Sequence, residues 1–128
     1  LTHGYTYSAH PLACAAGLAT LDIYRDEKLF ERANKLEPKF ADAVMSLKGQ
    51  PNVVDIRTVG LTAGIDLAPR PDVVGKRGYD AMVAAFHEND LMLRIAGDTL
   101  ALTPPLIVSE DQIGEIVEKV GKVIRAVA

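Results

Sequence analysis

The chain has 128 residues, enough for one domain with a real core, and its 17 acidic against 14 basic residues leave a net charge of −3. Lys and Arg are scattered rather than striped, which argues against a nucleic-acid or anionic-membrane surface. A single cysteine, Cys14, leaves no disulfide framework or thiolate metal site and fits a reducing, cytoplasmic setting. No apolar run approaches the roughly 18 to 20 residues of a membrane span, and no charged segment followed by an apolar one marks a signal peptide.

The sequence starts without Met inside a loop that reads as functional, so it is expected to be part of a longer polypeptide. The loop HGYTYSAHP leads through Pro11, tolerated at a first helical position, into LACAAGLATLDIY, whose apolar residues run nearly all round a helix. Such a helix is expected to be buried between other elements, with Cys14 a small buried residue. A second helix is expected from Leu29 to Leu47, where Leu29, Phe30, Ala33, Leu36, Phe40, Ala43, Val44 and Leu47 lie close to helical spacing. Pro38 inside it predicts a kink or two shorter helices.

Gly49, Pro51 and Asn52 then break the pattern, and Val53–Val59 and Leu61–Leu67 read as strands on either side of Gly60. From Gly75 to Glu88, the spacing of Tyr79, Met82, Val83 and Phe86 predicts an amphipathic helix packed on that face. Leu91–Ala96 and Thr99–Leu102 read as strands joined at Gly97 and Asp98. Ser109 with Gln112 forms a capping-box pattern before a helix whose apolar face runs from Ile113 to Val127. The sum is an α+β fold: two helices, then a small, mainly antiparallel sheet covered by helices.

Two features could carry chemistry. Tyr5, Thr6, Tyr7 and Ser8 place four hydroxyls before a helix N-terminus, where free N–H groups and the helix dipole suit a phosphate. The plainer reading is a loop capped by Ser8 or a neighbour. No Walker loop is present, because GKRGYD lacks both its spacing and its terminal Lys-Ser/Thr pair, so nucleotide hydrolysis is disfavoured. Arg94 is the second feature. Strand alternation in LMLRIAGD sets Leu91, Leu93 and Ile95 on one face and Met92, Arg94 and Ala96 on the other. A guanidinium there either pairs structurally with Asp90 or Asp98 or receives a carboxylate ligand in its planar fork. His3, His10 and His87 do not form a metal-ligand spacing.

Both features fall into one pattern. HGYTYSAHPLACAAGLATLDIYRDE and, later, LMLRIAGDTLALTPPL with its capped helix resemble the C-terminal part of class III pyridoxal-phosphate-dependent aminotransferases of fold type I. Within that family the likeness is closest to the ω-amino acid:pyruvate (β-alanine:pyruvate) aminotransferases. The resemblance implies that residues 1–48 are the helical end of a large cofactor-binding domain and residues 49–128 a small C-terminal α+β domain. It implies pyridoxal 5′-phosphate as cofactor, amine and keto-acid substrates, and a homodimer sharing its active sites. Thr6 would bind the phosphate of the cofactor held by the neighbouring subunit, assisted by the Tyr5 backbone N–H. Arg94 would bind the substrate carboxylate and swing away when the donor lacks one. The family's Schiff-base lysine belongs to upstream segments, so these residues alone would be inactive. One departure stands out: the family usually has Gly where this sequence has Ala9, which would cost about 1 kcal/mol if the position needs a positive φ. The alternatives are a non-catalytic α+β interaction or ligand-binding module with a structural Arg94, and another class III member, an ornithine-type aminotransferase or an aminomutase.

Overall fold

The computed structural model describes Gly4 and residues 6–128. In chain order the elements are α1 (Pro11–Asp26), α2 (Leu29–Met45), β1 (Val53–Val59), β2 (Thr62–Leu67), α3 (Lys76–Asn89), β3 (Arg94–Ala96), β4 (Thr99–Leu102) and α4 (Glu110–Ala126). The strands form one antiparallel sheet in the order β1-β2-β4-β3, which puts β1 and β3 at its edges. Alternation sends Ala63, Ile65 and Leu67 of β2 and Leu100 and Leu102 of β4 to the buried face. Helices cover that face. Phe40 and Val44 of α2, and Val120 and Val123 of α4, are fully buried in the same core as Ile65 and Leu100.

Helix α4 follows its sequence pattern closely. The Gln112 N–H donates to Ser109 Oγ at 3.1 Å, and the Ser109 N–H donates to Gln112 Oε1 at 2.9 Å, closing the capping box. Its apolar stripe of Ile113, Val117, Val120, Val123 and Ile124 is buried.

Two expectations fail and one is narrowed, each for an identifiable reason. Helix α2 runs unbroken from Leu29 to Met45 with Pro38 inside it. Pro38 removes the bond to the carbonyl of Asn34, but both residues are exposed, so water can serve that carbonyl while Leu36, Phe40 and Val44 anchor the other face. Helix α1 buries no residue: Leu12, Leu18 and Leu21 are exposed, as is Cys14. It packs chiefly against α2 among the described residues, with Tyr24 edge-on to Phe30 at 5.2 Å.

Helix α3 turns the other way from its bulky apolar stripe. Gly78, Ala81, Ala84 and Ala85 are buried, whereas Tyr79 and Phe86 are more than half exposed. Close approach decides this. A Cβ at Gly78 would lie 2.1 Å from the Gly97 carbonyl oxygen, a distance that only glycine permits, so the small-residue face is the one that fits against the β3–β4 turn.

Candidate functional site

The loop before α1 makes a turn over residues 6–9 in which the His10 N–H donates to the Tyr7 carbonyl at 3.2 Å. Thr6 is exposed in that turn; Tyr5 lies outside the described residues. The helix cap itself is His10, and among the described residues no side chain accepts from the first turn. With Pro11 lacking an N–H, the first backbone donors of α1 belong to Leu12 and Ala13, and neither meets the side-chain oxygen that an ordinary Ser or Asp cap would provide. The expected cap by Ser8 is therefore not made. Ala9 has φ 59°, the left-handed region that favours glycine.

Arg94 opens the edge strand β3, and its neighbours alternate as the sequence indicates: Leu93 is buried, Ile95 half-buried, and Met92, Arg94 and Ala96 exposed. Among the described residues no ion pair involves Arg94. Neither structural partner named by the sequence is used. The Asp98 carboxylate instead accepts from the backbone N–H of Gly75 at 2.7 Å and of Gly78 at 2.9 Å, and Asp90 ends α3 as its C-cap. The guanidinium borders a cavity of about 330 Å³ whose other walls include Met92, Ala101, Pro104, Pro105 and Ile116. It is a free, permanently charged fork beside mostly apolar walls, which favours a planar anion such as a carboxylate.

Register places Arg57, Gly64, Ala101 and Arg94 in one row across β1, β2, β4 and β3. The two central positions carry almost no side chain; a second, separate cavity of about 380 Å³ is lined by Arg57, Gly64 and Ala101, and Ala101 also lines the first. At its far end Arg57 donates to Asp66 at 2.6 Å and lies within 3.4 Å of Asp55, while the Thr99 hydroxyl donates to Asp66 at 2.7 Å. The Arg57 bond, then the Thr99 bond, hold the Asp66 carboxyl below the usual carboxylate range; the same bond raises Arg57 above its ordinary value. Of the two arginines in this row, one is neutralised and one is available.

Two supporting residues carry no sequence signal. Arg32 of α2 donates to the carbonyls of Leu106 and Val108, each at 2.6 Å, and so fixes the segment that follows Pro104 and Pro105 at the wall of the Arg94 cavity. Asp98 bolts the β3–β4 turn to the start of α3. Their targets are backbone groups more than 70 and about 20 residues away, which no local pattern reveals. Thr6 and Arg94 are not brought together: no described residue of the first loop lines the Arg94 cavity. Among the described residues there is no cluster of potential metal ligands.

Comparison with known proteins gives a consistent result. The family profile described as Aminotransferase class-III matches residues 1–124. The chain is 51% identical over 124 residues to an omega-aminotransferase of Caulobacter vibrioides, which covers 97% of this chain and 28% of that protein. It is 37% identical over 127 residues to a beta-alanine–pyruvate aminotransferase of Pseudomonas aeruginosa, covering 99% of this chain and 28% of the relative. Among solved structures, a thermostable omega transaminase 6-fold mutant from Pseudomonas jessenii superposes with a TM-score of 0.90 at 32% identity, over 100% of this chain and 30% of that one. The chain thus spans a little over a quarter of the length of these relatives.

Proposed function

Since this chain belongs to the class-III aminotransferase family, we propose that the protein it is part of is a pyridoxal-phosphate-dependent transaminase that moves an amino group from an ω-amino acid or amine to pyruvate. The relatives named for omega-amino and β-alanine–pyruvate transfer support this choice of substrates. The observation that carries it on this chain is Arg94: a guanidinium with no ion-pair partner among the described residues, at a mostly apolar cavity, while Asp98, its candidate partner in the sequence, is occupied elsewhere. On this reading Arg94 holds the substrate carboxylate by two parallel hydrogen bonds beside the cavity's mostly apolar walls.

The entrance to α1 fits the cofactor's phosphate. Among the described residues the Leu12 and Ala13 N–H groups lack a side-chain acceptor, the Thr6 hydroxyl is exposed nearby in sequence, and the helix dipole favours an anion. When bound, pyridoxal phosphate supplies the electron sink for moving the amino group; the protein supplies orientation and charge. Thr6, with the Tyr5 N–H, would hold the phosphate of the cofactor in a partner subunit of a homodimer, consistent with Thr6 standing apart from the Arg94 cavity. Residues 1–48 would close the large domain and residues 49–128 form the small one, with the buried face of α2 joining the small domain's core. The catalytic lysine lies, on this reading, outside these 128 residues, so the segment alone is inactive; a cytoplasmic setting completes the proposal.

The test uses the full-length protein loaded with cofactor. Arg94→Ala should weaken the half-reaction with β-alanine by about 10- to 100-fold, the worth of charge-assisted hydrogen bonds, and leave that with 1-phenylethylamine nearly unchanged. Equal losses for both donors would return Arg94 to a structural role.

A further inference from the structure

Arg94 is presented by a short element with little to hold it. Strand β3 has three residues, pairs only with β4, and leaves its other edge open. On one side it is fixed by Leu93, which is buried in the core. On the other side, three residues from Arg94, lies the turn Gly97–Asp98. That turn is held unusually firmly. The Asp98 carboxylate takes both the Gly75 and Gly78 N–H groups, one on each oxygen, while its own carbonyl accepts from the Leu67 N–H at 3.0 Å. Gly75, the N-cap of α3, has no side chain to cap the helix, so Asp98 does this from another element. Gly78 lets the helix come against the Gly97 carbonyl, where no larger residue would fit.

We propose that Asp98 is a positioning residue for substrate-carboxylate binding: by capping α3 from the β3–β4 turn, it fixes the hairpin that presents Arg94 to the cavity. This rests on the reading of Arg94 given above. The physical argument is preorganisation. A guanidinium on a three-residue edge strand meets a ligand at a defined place only if the strand's ends are fixed, and freedom left in the free protein is lost on binding. Asp98 is therefore engaged in holding the turn rather than in neutralising Arg94, and this leaves the guanidinium open to a ligand.

The experiment uses the full-length holoenzyme and propionate, a carboxylate with no amino group to react, titrated by calorimetry. Asp98→Asn keeps one acceptor oxygen, so the fold is retained with a loosened turn. It should weaken propionate binding and raise the apparent dissociation constant for β-alanine by about 3- to 10-fold, while the half-reaction with 1-phenylethylamine stays within about twofold of the original. Ile124→Val, a buried truncation in α4 away from the hairpin, serves as the stability control and should lower Tm without moving either carboxylate affinity. Asp98→Asn binding propionate like the unaltered enzyme, with a lowered Tm, would overturn the proposal and leave Asp98 a helix cap only. An Arg94→Ala enzyme that still binds propionate normally would instead overturn the reading on which the proposal rests.

Discussion

Ala9 and Thr6 sit three residues apart and answer to different constraints. Ala9 occupies positive φ, where its Cβ crowds the following carbonyl, yet glycine there would also release more entropy on unfolding. The balance favours glycine, so Ala9→Gly should stabilise the full-length protein by about 0.5 kcal/mol in urea unfolding and leave retention of pyridoxal phosphate unchanged. Thr6→Ala should do the reverse: loss of a hydroxyl from an exposed turn barely touches stability but should raise the cofactor's dissociation constant severalfold. Cofactor retention unaffected by Thr6→Ala would remove this loop from the phosphate site. That Ala9 departs from the family's glycine was readable from the sequence, but whether the departure strains the backbone depended on the φ angle.

At the scale of elements, the outer sheet face shows how register makes a site from residues far apart in the chain. Arg57, Gly64, Ala101 and Arg94 form a row only because the strands pair in the order β1-β2-β4-β3. Within that face the Arg57–Asp66–Thr99 network ties three strands together. Because the folded Asp66 carboxyl titrates below its unfolded value of about 3.9, its contribution is fully present above that pH and is lost as pH falls through the lower, folded value. Both partners are partly exposed, so the effect is modest and falls with salt. Asp66→Asn should therefore differ in stability from the unaltered protein at pH 6 and converge with it towards pH 2, as followed by urea unfolding across that range. A gap that stays constant with pH would assign the difference to packing rather than ionisation. Helix α3 carries a related lesson. Its periodicity located the element, but the stripe of Tyr79, Val83 and Phe86 named the wrong face, because hydrophobic spacing registers bulk and cannot register the close packing at Gly78, where a Cβ would stand 2.1 Å from the Gly97 carbonyl oxygen.

Across the whole molecule, burial is divided unevenly. One core joins α2, α3 and α4 to the sheet, while α1 contributes nothing buried and exposes Leu12, Leu18 and Leu21. A helix of 16 residues without tertiary burial is marginal in water, since most helical stability in proteins comes from a packed face. In the 128-residue chain the amides of α1 should thus exchange with solvent at least tenfold faster than the slowest of α2 and α4, and comparable protection would show that α1 is held by more than α2.

What the sequence determined by itself is what local chemistry and period can carry: the order of helices and strands among the described residues, though the strand expected over Leu91–Ala96 covers only Arg94–Ala96, the capping box at Ser109, the inward and outward faces around Arg94, and the motifs that mark the class-III aminotransferase family. Tertiary structure decided the rest. It chose which face of α3 packs, kept α2 continuous through Pro38, gave Asp98 to α3 rather than to Arg94, and set Arg32 against the cavity wall. Each of those outcomes turns on close approach or on hydrogen bonds to backbone groups distant in the chain. Side-chain spacing encodes neither, because a backbone N–H or carbonyl looks the same at every residue until the fold brings a particular one within reach.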